Sequence, residues 1–208
     1  MAVDGEKARR GSRLLLGAFA VLWAVGVAAG MKALYDHSGT AGEAAASPRR
    51  WPTAAGIALD TRRPTLVMLA HPRCPCTRAS VAELSVLMTR AQGGLSAHVL
   101  FVEPSGTQAG FAHGSLWDAA RAIRGVEVHS DPGGHVADRF GARTSGQVML
   151  YGIDGRLLFA GGITSSRGHQ GDNAGLDRVL SLVRGGKAER SESSVFGCGL
   201  FDKKKGKS

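Results

Sequence analysis

The chain predicts an α/β domain, a central mixed sheet flanked by helices, carried behind one N-terminal transmembrane helix. Three observations lead there. Strand-like and helix-like stretches alternate from about residue 56 to 186. Near the end of that stretch, Asp154-Gly155 separates two apolar runs, Gln147 to Tyr151 and Arg156 to Gly161, a strong hairpin signal that adds antiparallel strands to the sheet. Ahead of it all, the chain runs without charge from Leu14 to Met31.

The elements follow in order. Thr65-Leu66-Val67-Met68-Leu69-Ala70 reads as a buried strand. A pattern with helical spacing follows at once, Val81, Leu84, Leu87/Met88 and Ala91, which predicts a helix over about 75–92 ending near Gly93-Gly94. Ala97 to Val102 is a second strand, closed by Glu103-Pro104. A polar, glycine-containing loop reaches His113-Gly114, and Ser115-Leu116-Trp117-Asp118 opens a helix with a capping-box pattern running to about Arg124. Val126 to His129 is a third strand. Asp131-Pro132-Gly133-Gly134 turns into a short helix that ends at Phe140-Gly141, and after the hairpin Gly175 to Arg184 closes the domain as a helix.

Outside the domain the sequence divides into four parts. Residues 1–13 hold Lys7, Arg9, Arg10 and Arg13, and 14–31 are the apolar run, at the lower edge of what spans a bilayer. Only Lys32 follows closely, so the positive-inside bias puts residues 1–13 in the cytoplasm and the rest outside. Ala28-x-Gly30 would serve as the cleavage site of a signal peptide, but the run exceeds a typical signal core, and a retained anchor is the preferred reading. Residues 32–55 are small and polar and read as a linker; 187–208 form a polar tail interrupted by Val195-Phe196-Gly197-Cys198-Gly199-Leu200-Phe201. The net charge of +9 sits largely at the two termini, +2 in residues 1–13 and +3 in 187–208. With no basic stripe in the domain, the charge argues against nucleic acid as a partner.

The candidate chemistry lies in His71-Pro72-Arg73-Cys74-Pro75-Cys76-Thr77-Arg78, at the junction of the first strand and its helix. Proline favours the first helical position, so Pro75 makes Cys74 the N-cap and puts Cys76 in the first turn. Free amides and the positive end of the helix dipole favour a thiolate there, and Arg73, Arg78 and His71 add positive potential. Two ordinary buried cysteines are the plain alternative. Cys198, the third cysteine of the chain, sits in the apolar island of the tail, which predicts that the island docks on the domain; there Cys198 either brings a third sulfur to the site, or is a peripheral thiol or a contact for another protein. The histidines His37, His98, His113, His129 and His135 are scattered, and none has ligand spacing with a cysteine.

These residues carry a resemblance. Ala70 to Ser80, Phe140-Gly141-Ala142 with Thr144-Ser145-Gly146, Leu157 to Thr164, Arg167-Gly168-His169 with Gly171-Asp172-Asn173, and Val195 to Cys198 resemble the membrane-anchored bacterial group of thioredoxin-fold proteins sometimes labelled RedB, over about residues 50–200. The resemblance implies a thioredoxin-like fold, the bacterial inner membrane, a single pass and a periplasmic domain. By that fold, Ser145-Gly146 and the loop from Ile163 to Asn173 approach the cysteines, with Arg167 and His169 beside them. Asp172 or Asn173 either joins the site or merely caps the last helix. Two departures from ordinary thioredoxins stand out: the spacing is Cys-x-Cys, and Ser145-Gly146 stands where a cis-proline is usual.

Three functions remain open on the sequence. Thiol–disulfide exchange outside the cytoplasm would use Cys74 as attacking thiolate and Cys76 or Cys198 to resolve the mixed disulfide, with a protein thiol or disulfide as client or electron donor and no cofactor. A copper(I)-binding module would use Cys74 and Cys76 with His169 or His71. A peroxidase is the least supported, because His71 and Arg73 occupy the positions three residues before each cysteine where peroxiredoxins place Thr or Ser.

Overall fold

The computed structural model describes residues 3–43, 46–108, 110–186 and 192–201. The chain divides into two units, residues 1–39 and 40–208. The first is one helix, α1 (Val3–Gly39), whose segment Arg13–Gly39 is long and apolar enough to cross a membrane. From Leu14 to Tyr35 its large apolar side chains are exposed, as a lipid-facing helix requires.

Among the described residues, the second unit holds five strands and four helices: β1 (Thr65–Ala70), α2 (Pro75–Ala91), β2 (Ser96–Glu103), α3 (Ser115–Arg121), β3 (Val126–Pro132), α4 (His135–Arg139), β4 (Gln147–Tyr151), β5 (Leu157–Gly162) and α5 (Ala174–Val183). The sheet order is β3-β2-β1-β4-β5, with β1, β2 and β3 parallel and β4 and β5 antiparallel to their neighbours. A parallel β1-α2-β2 unit continued by an antiparallel hairpin and a closing helix is a thioredoxin-like fold, as the sequence predicts.

Strand alternation sorts the core into two layers. Leu66, Met68 and Ala70 of β1, with Ala97, Val99 and Phe101 of β2, face α2, α3 and α5 through Val81, Leu84, Leu87, Leu116, Val179 and Leu180. Val67 and Leu69, with Leu100, Val102, Met149 and Tyr151, face the other way, onto Ala137, Phe140, Ala142 and Leu200. Because β1 is central, every residue in it is buried.

Several boundaries differ from the sequence expectation. Ser115 does not cap α3; the N-cap is Gly114, whose carbonyl accepts from Asp118 N, and the helix stops at Arg121. The Ser-x-x-Asp pattern therefore lies inside the first turn instead of bracketing it. β3 runs on through Asp131-Pro132, a stretch with turn residues, because the pairing of Val102 with Asp131 and Glu103 with Pro132 extends the parallel ladder at an edge where proline is tolerated. The Asp131 carboxylate then accepts from Val136 N and Ala137 N and fixes the start of α4.

The segment read as a linker is structured at both ends. Residues 32–39 continue α1, and much of the remainder straps the domain. Trp51 meets Phe140 and Tyr151 edge-on at centroid distances of 5.3 and 5.2 Å, Trp51 N donates to Gly155 O, and Leu157 N donates to Arg49 O. The strap covers the second core layer, which α4 alone is too short to close.

Candidate functional site

The site is assembled where β1 ends. β1 delivers His71-Pro72-Arg73, and the chain turns with Cys74 N donating to His71 O at 3.1 Å. Cys74 is the N-cap of α2 in extended conformation (φ −83°, ψ 121°), with Pro75 opening the helix, as the sequence predicts. Cys74 is buried, Cys76 half-buried and Cys198 exposed; none of the three is in a disulfide.

Ser145, on the loop entering β4, joins three elements. Its hydroxyl accepts from His71 N at 2.8 Å and lies 2.7 Å from Thr77 Oγ1, and its backbone N–H donates to Cys198 O at 2.8 Å. Gly146 N donates to Leu69 O, which pins the loop to β1. Gly146 has φ +88°, and a Cβ there would lie 2.5 Å from Ser80 Oγ on α2, so the position needs glycine on both counts. The chain thus makes this approach with a Ser-Gly pair and, among the described residues, an all-trans backbone.

The tail docks across the same loop. Thr144 pairs with Gly199 in an antiparallel bridge, Leu200 N donates to Arg143 O, and Gly197 packs so closely that a Cβ would meet Ser145 O at 2.0 Å. Leu200 is buried in the second core layer. This docking sets Cys198 Sγ 3.0 Å from Cys74 Sγ in an S–H···S contact. The apolar island of the tail therefore does what its composition suggests. The Lys203-Lys204-Lys205 run beyond it lies outside the described residues.

Electrostatics separate the three thiols. Burial pushes the Cys74 thiol up, but the donors around the sulfur outweigh it: the Cys198 thiol and amide and the Thr77 hydroxyl and amide bring its pKa below the ordinary value. The side chain makes no capping hydrogen bond of ordinary geometry, so the contact with Cys198 is the directional one. Although much of Cys198 is exposed, its sulfur is partly desolvated where it meets the domain; that first, and the adjoining Cys74 second, push its pKa up to about 12. Cys76 is also raised, by burial and by the charge on Cys74, with Arg167 acting in the opposite direction. Of the two sulfurs in contact, Cys74 is therefore the more acidic and Cys198 the one that holds its proton more tightly. The expected outcome is selective alkylation: in the reduced chain, iodoacetamide modifies Cys74 with a half-maximal pH below those of Cys76 and Cys198, read by peptide mapping across a pH series. Identical pH profiles for all three would contradict this assignment.

Arg167 acts as a clamp. Its Nη1 donates to Gly197 O, its Nε donates to Thr40 O at 3.2 Å, and its positive charge acts on the Cys76 thiol, opposing the rise in its pKa. The loop that carries it is tied to α2 by the buried Glu83, which accepts from Gly171 N at 2.7 Å and from Asn173 Nδ2 at 3.4 Å. Asn173 also caps α5 by accepting from Leu176 N, the structural role anticipated for it. Asp172 does not supply that cap. His169, by contrast, is exposed. His71 Nδ1 accepts from Arg73 N at 3.2 Å, and the Arg73 guanidinium stacks 4.3 Å above the Phe111 ring.

Cys74, Cys76, Cys198, Ser145 and Arg167 thus come together, while His71, Arg73 and Pro75 shape the loop. Among the described residues, Cys74, Cys76 and His169 do not gather into a set of three donors within 4.8 Å; His98, Glu127 and His129 do. Sequence reasoning missed Thr77, Gly197 and Phe111. Thr77 stood in the cysteine motif itself, and Phe111 was the one large apolar residue of an otherwise polar loop.

No family model and no curated protein matches the chain. Among solved structures it is similar to a hypothetical protein, SMc02350, from Sinorhizobium meliloti 1021, with 20% identity over 77% of this chain and 93% of that one, at a TM-score of 0.54. It is also similar to an uncharacterized conserved protein from Geobacillus kaustophilus, with 14% identity, coverage of 80% and 94%, and a TM-score of 0.56. A secreted disulfide oxidoreductase of Mycobacterium tuberculosis, homologous to E. coli DsbE, overlaps less, at 15% identity, 59% and 81% coverage, and a TM-score of 0.42.

Proposed function

We propose that this protein is a membrane-anchored thiol–disulfide oxidoreductase in which Cys74 attacks and Cys198 resolves. The observation that carries the reading is the 3.0 Å approach of the two sulfurs, made by a tail segment that a pair of backbone hydrogen bonds to residues 143 and 145 and a close-packed glycine hold in place. Cys76 is the poorer resolving partner, because residues two apart at the start of a helix do not face each other.

The Cys74 thiolate attacks one sulfur of a client disulfide, forming a mixed disulfide and releasing the other client sulfur as thiolate. That consumes the charge on Cys74 which, after burial, is the main reason Cys198 holds its proton. The Arg167 guanidinium remains, favouring the Cys198 thiolate. Cys198 passes its proton to the released client thiolate and attacks Cys74 Sγ, closing a Cys74–Cys198 disulfide and freeing the second client sulfur. The client is reduced and the protein oxidised; a dithiol donor resets it. Run in reverse, the same steps oxidise a client dithiol.

The charge asymmetry around α1, Lys7, Arg9, Arg10 and Arg13 against Lys32, supports an orientation with the N-terminus in the cytoplasm and the cysteines outside, in the bacterial periplasm. There disulfides persist. One experiment tests both parts. Sealed spheroplasts expressing the full chain are oxidised mildly, labelled with a membrane-impermeant maleimide and mapped. The expected result is a Cys74–Cys198 bond with Cys76 left for labelling. A Cys74–Cys76 bond would overturn the resolving role, and label excluded from every cysteine, before and after reduction, would overturn the orientation.

A further inference from the structure

A second cluster lies away from the cysteines, on β2 and the edge strand β3. The register pairs His98 with Glu127 and Leu100 with His129, so His98, Glu127 and His129 share one face of the sheet. His98 is buried, His129 partly exposed and Glu127 exposed. His98 Nδ1 lies 3.0 Å from His129 Nε2, and Glu127 Oε2 lies 3.6 Å from the first and 3.8 Å from the second.

From this geometry we infer that His98, Glu127 and His129 form a binding site for a divalent transition-metal ion of the zinc class. The three separations decide it. The point in the plane of the three atoms equidistant from them lies about 2.0 Å from each, and a small displacement out of that plane toward a fourth ligand keeps the distances near those of zinc to imidazole nitrogen and carboxylate oxygen. The donor set, two imidazoles and one carboxylate, suits zinc and its neighbours and not a soft monovalent ion.

The tautomer is also prepared. His98 Nε2 lies 3.0 Å from Ala58 O, a carbonyl that can only accept, so Nε2 carries the proton and Nδ1 presents its lone pair to the cluster. A ligating histidine whose far nitrogen donates to a backbone carbonyl is the usual outer support of such sites. The His129 Nε2 proton, which bridges to His98 Nδ1 without metal, moves to His129 Nδ1 when the ion takes its place. The fourth position opens at the sheet edge beside the exposed Glu127, so water or a partner's donor completes the coordination. The ion would join β2, the edge strand and, through Ala58, the strap.

The test uses the full chain in detergent, without an affinity tag of histidines, and with Cys74, Cys76 and Cys198 replaced by serine so that no thiolate competes. Co2+ is titrated and read by its visible absorption, then displaced by Zn2+. The expected result is about one equivalent bound with tetrahedral-type bands, weakened at least ~10-fold by Glu127→Ala and at least ~100-fold by His129→Ala. Both side chains are partly exposed, and circular dichroism checks that the fold persists. The same two substitutions in the wild-type chain, read as the loss of about one zinc per chain by calorimetry, keep the answer independent of the serine replacements. Absence of binding, or binding that survives loss of both Glu127 and His129, overturns the proposal and leaves the cysteine chemistry untouched.

Discussion

If the proposed exchange operates, replacing Cys74 with serine should abolish turnover of insulin or glutathione disulfides, because a hydroxyl at this position can neither ionise at neutral pH nor form a disulfide. Replacing Cys198 has a different outcome. The first attack still occurs, since Cys74 keeps its place at the start of α2 and its Thr77 donors, but nothing lies 3.0 Å away to complete the exchange. The Cys198→Ser chain therefore accumulates a mixed disulfide on Cys74, visible as a covalent adduct by mass spectrometry under non-reducing conditions. Cys76→Ser leaves closure of the Cys74–Cys198 bond unchanged. The three substitutions discriminate sharply: should Cys198→Ser turn over like the parent while Cys76→Ser traps the adduct, the resolving role passes to Cys76.

The second large effect comes from a residue with no side chain. A Cβ at Gly197 would lie 2.0 Å from Ser145 O and 3.0 Å from Ser145 C, both backbone atoms of a pinned loop. Gly197→Ala must therefore lift the tail, and overpacking of this kind costs about 1–3 kcal/mol. That cost falls on the docked tail, not on the sheet, whose core layers contain neither residue. The equilibrium constant for closing the Cys74–Cys198 bond in a glutathione buffer should fall by roughly 10- to 100-fold, measured as the bonded fraction after acid quenching. The unfolding midpoint of the reduced chain should move little, because among the described residues of the tail Leu200 is the one fully buried large apolar side chain, with Phe201 packed partly exposed beside it. A bonded fraction equal to the parent's would show that the tail is not held by this contact, and the resolving geometry would fall with it.

These two predictions also mark where sequence reasoning succeeds. Cys74 as N-cap, Pro75 as the first helical residue and the strand before them were legible because each depends on neighbours a few residues away. The hairpin around Asp154-Gly155 was legible for the same reason. Gly197 was not: nothing in Val195-Phe196-Gly197-Cys198 says that its glycine will meet the backbone of Ser145. His98 and His129 looked scattered because their meeting depends on the parallel register of two strands, which pattern alone does not set. The capping-box reading of Ser115 failed where a local rule was overridden by the loop that delivers Gly114.

By itself, the sequence determined the order of strands and helices, the apolar first helix and the placement of two sulfurs at the start of α2. All of these follow from periodicity, capping and charge within short windows. The tertiary structure alone decided that Cys198, 124 residues along the chain, faces Cys74, that Arg167 clamps the tail, and that three side chains on β2 and β3 converge. Contacts of that separation depend on backbone docking and strand register, whose free energies come from packing shared across the whole core and are not written in any one segment.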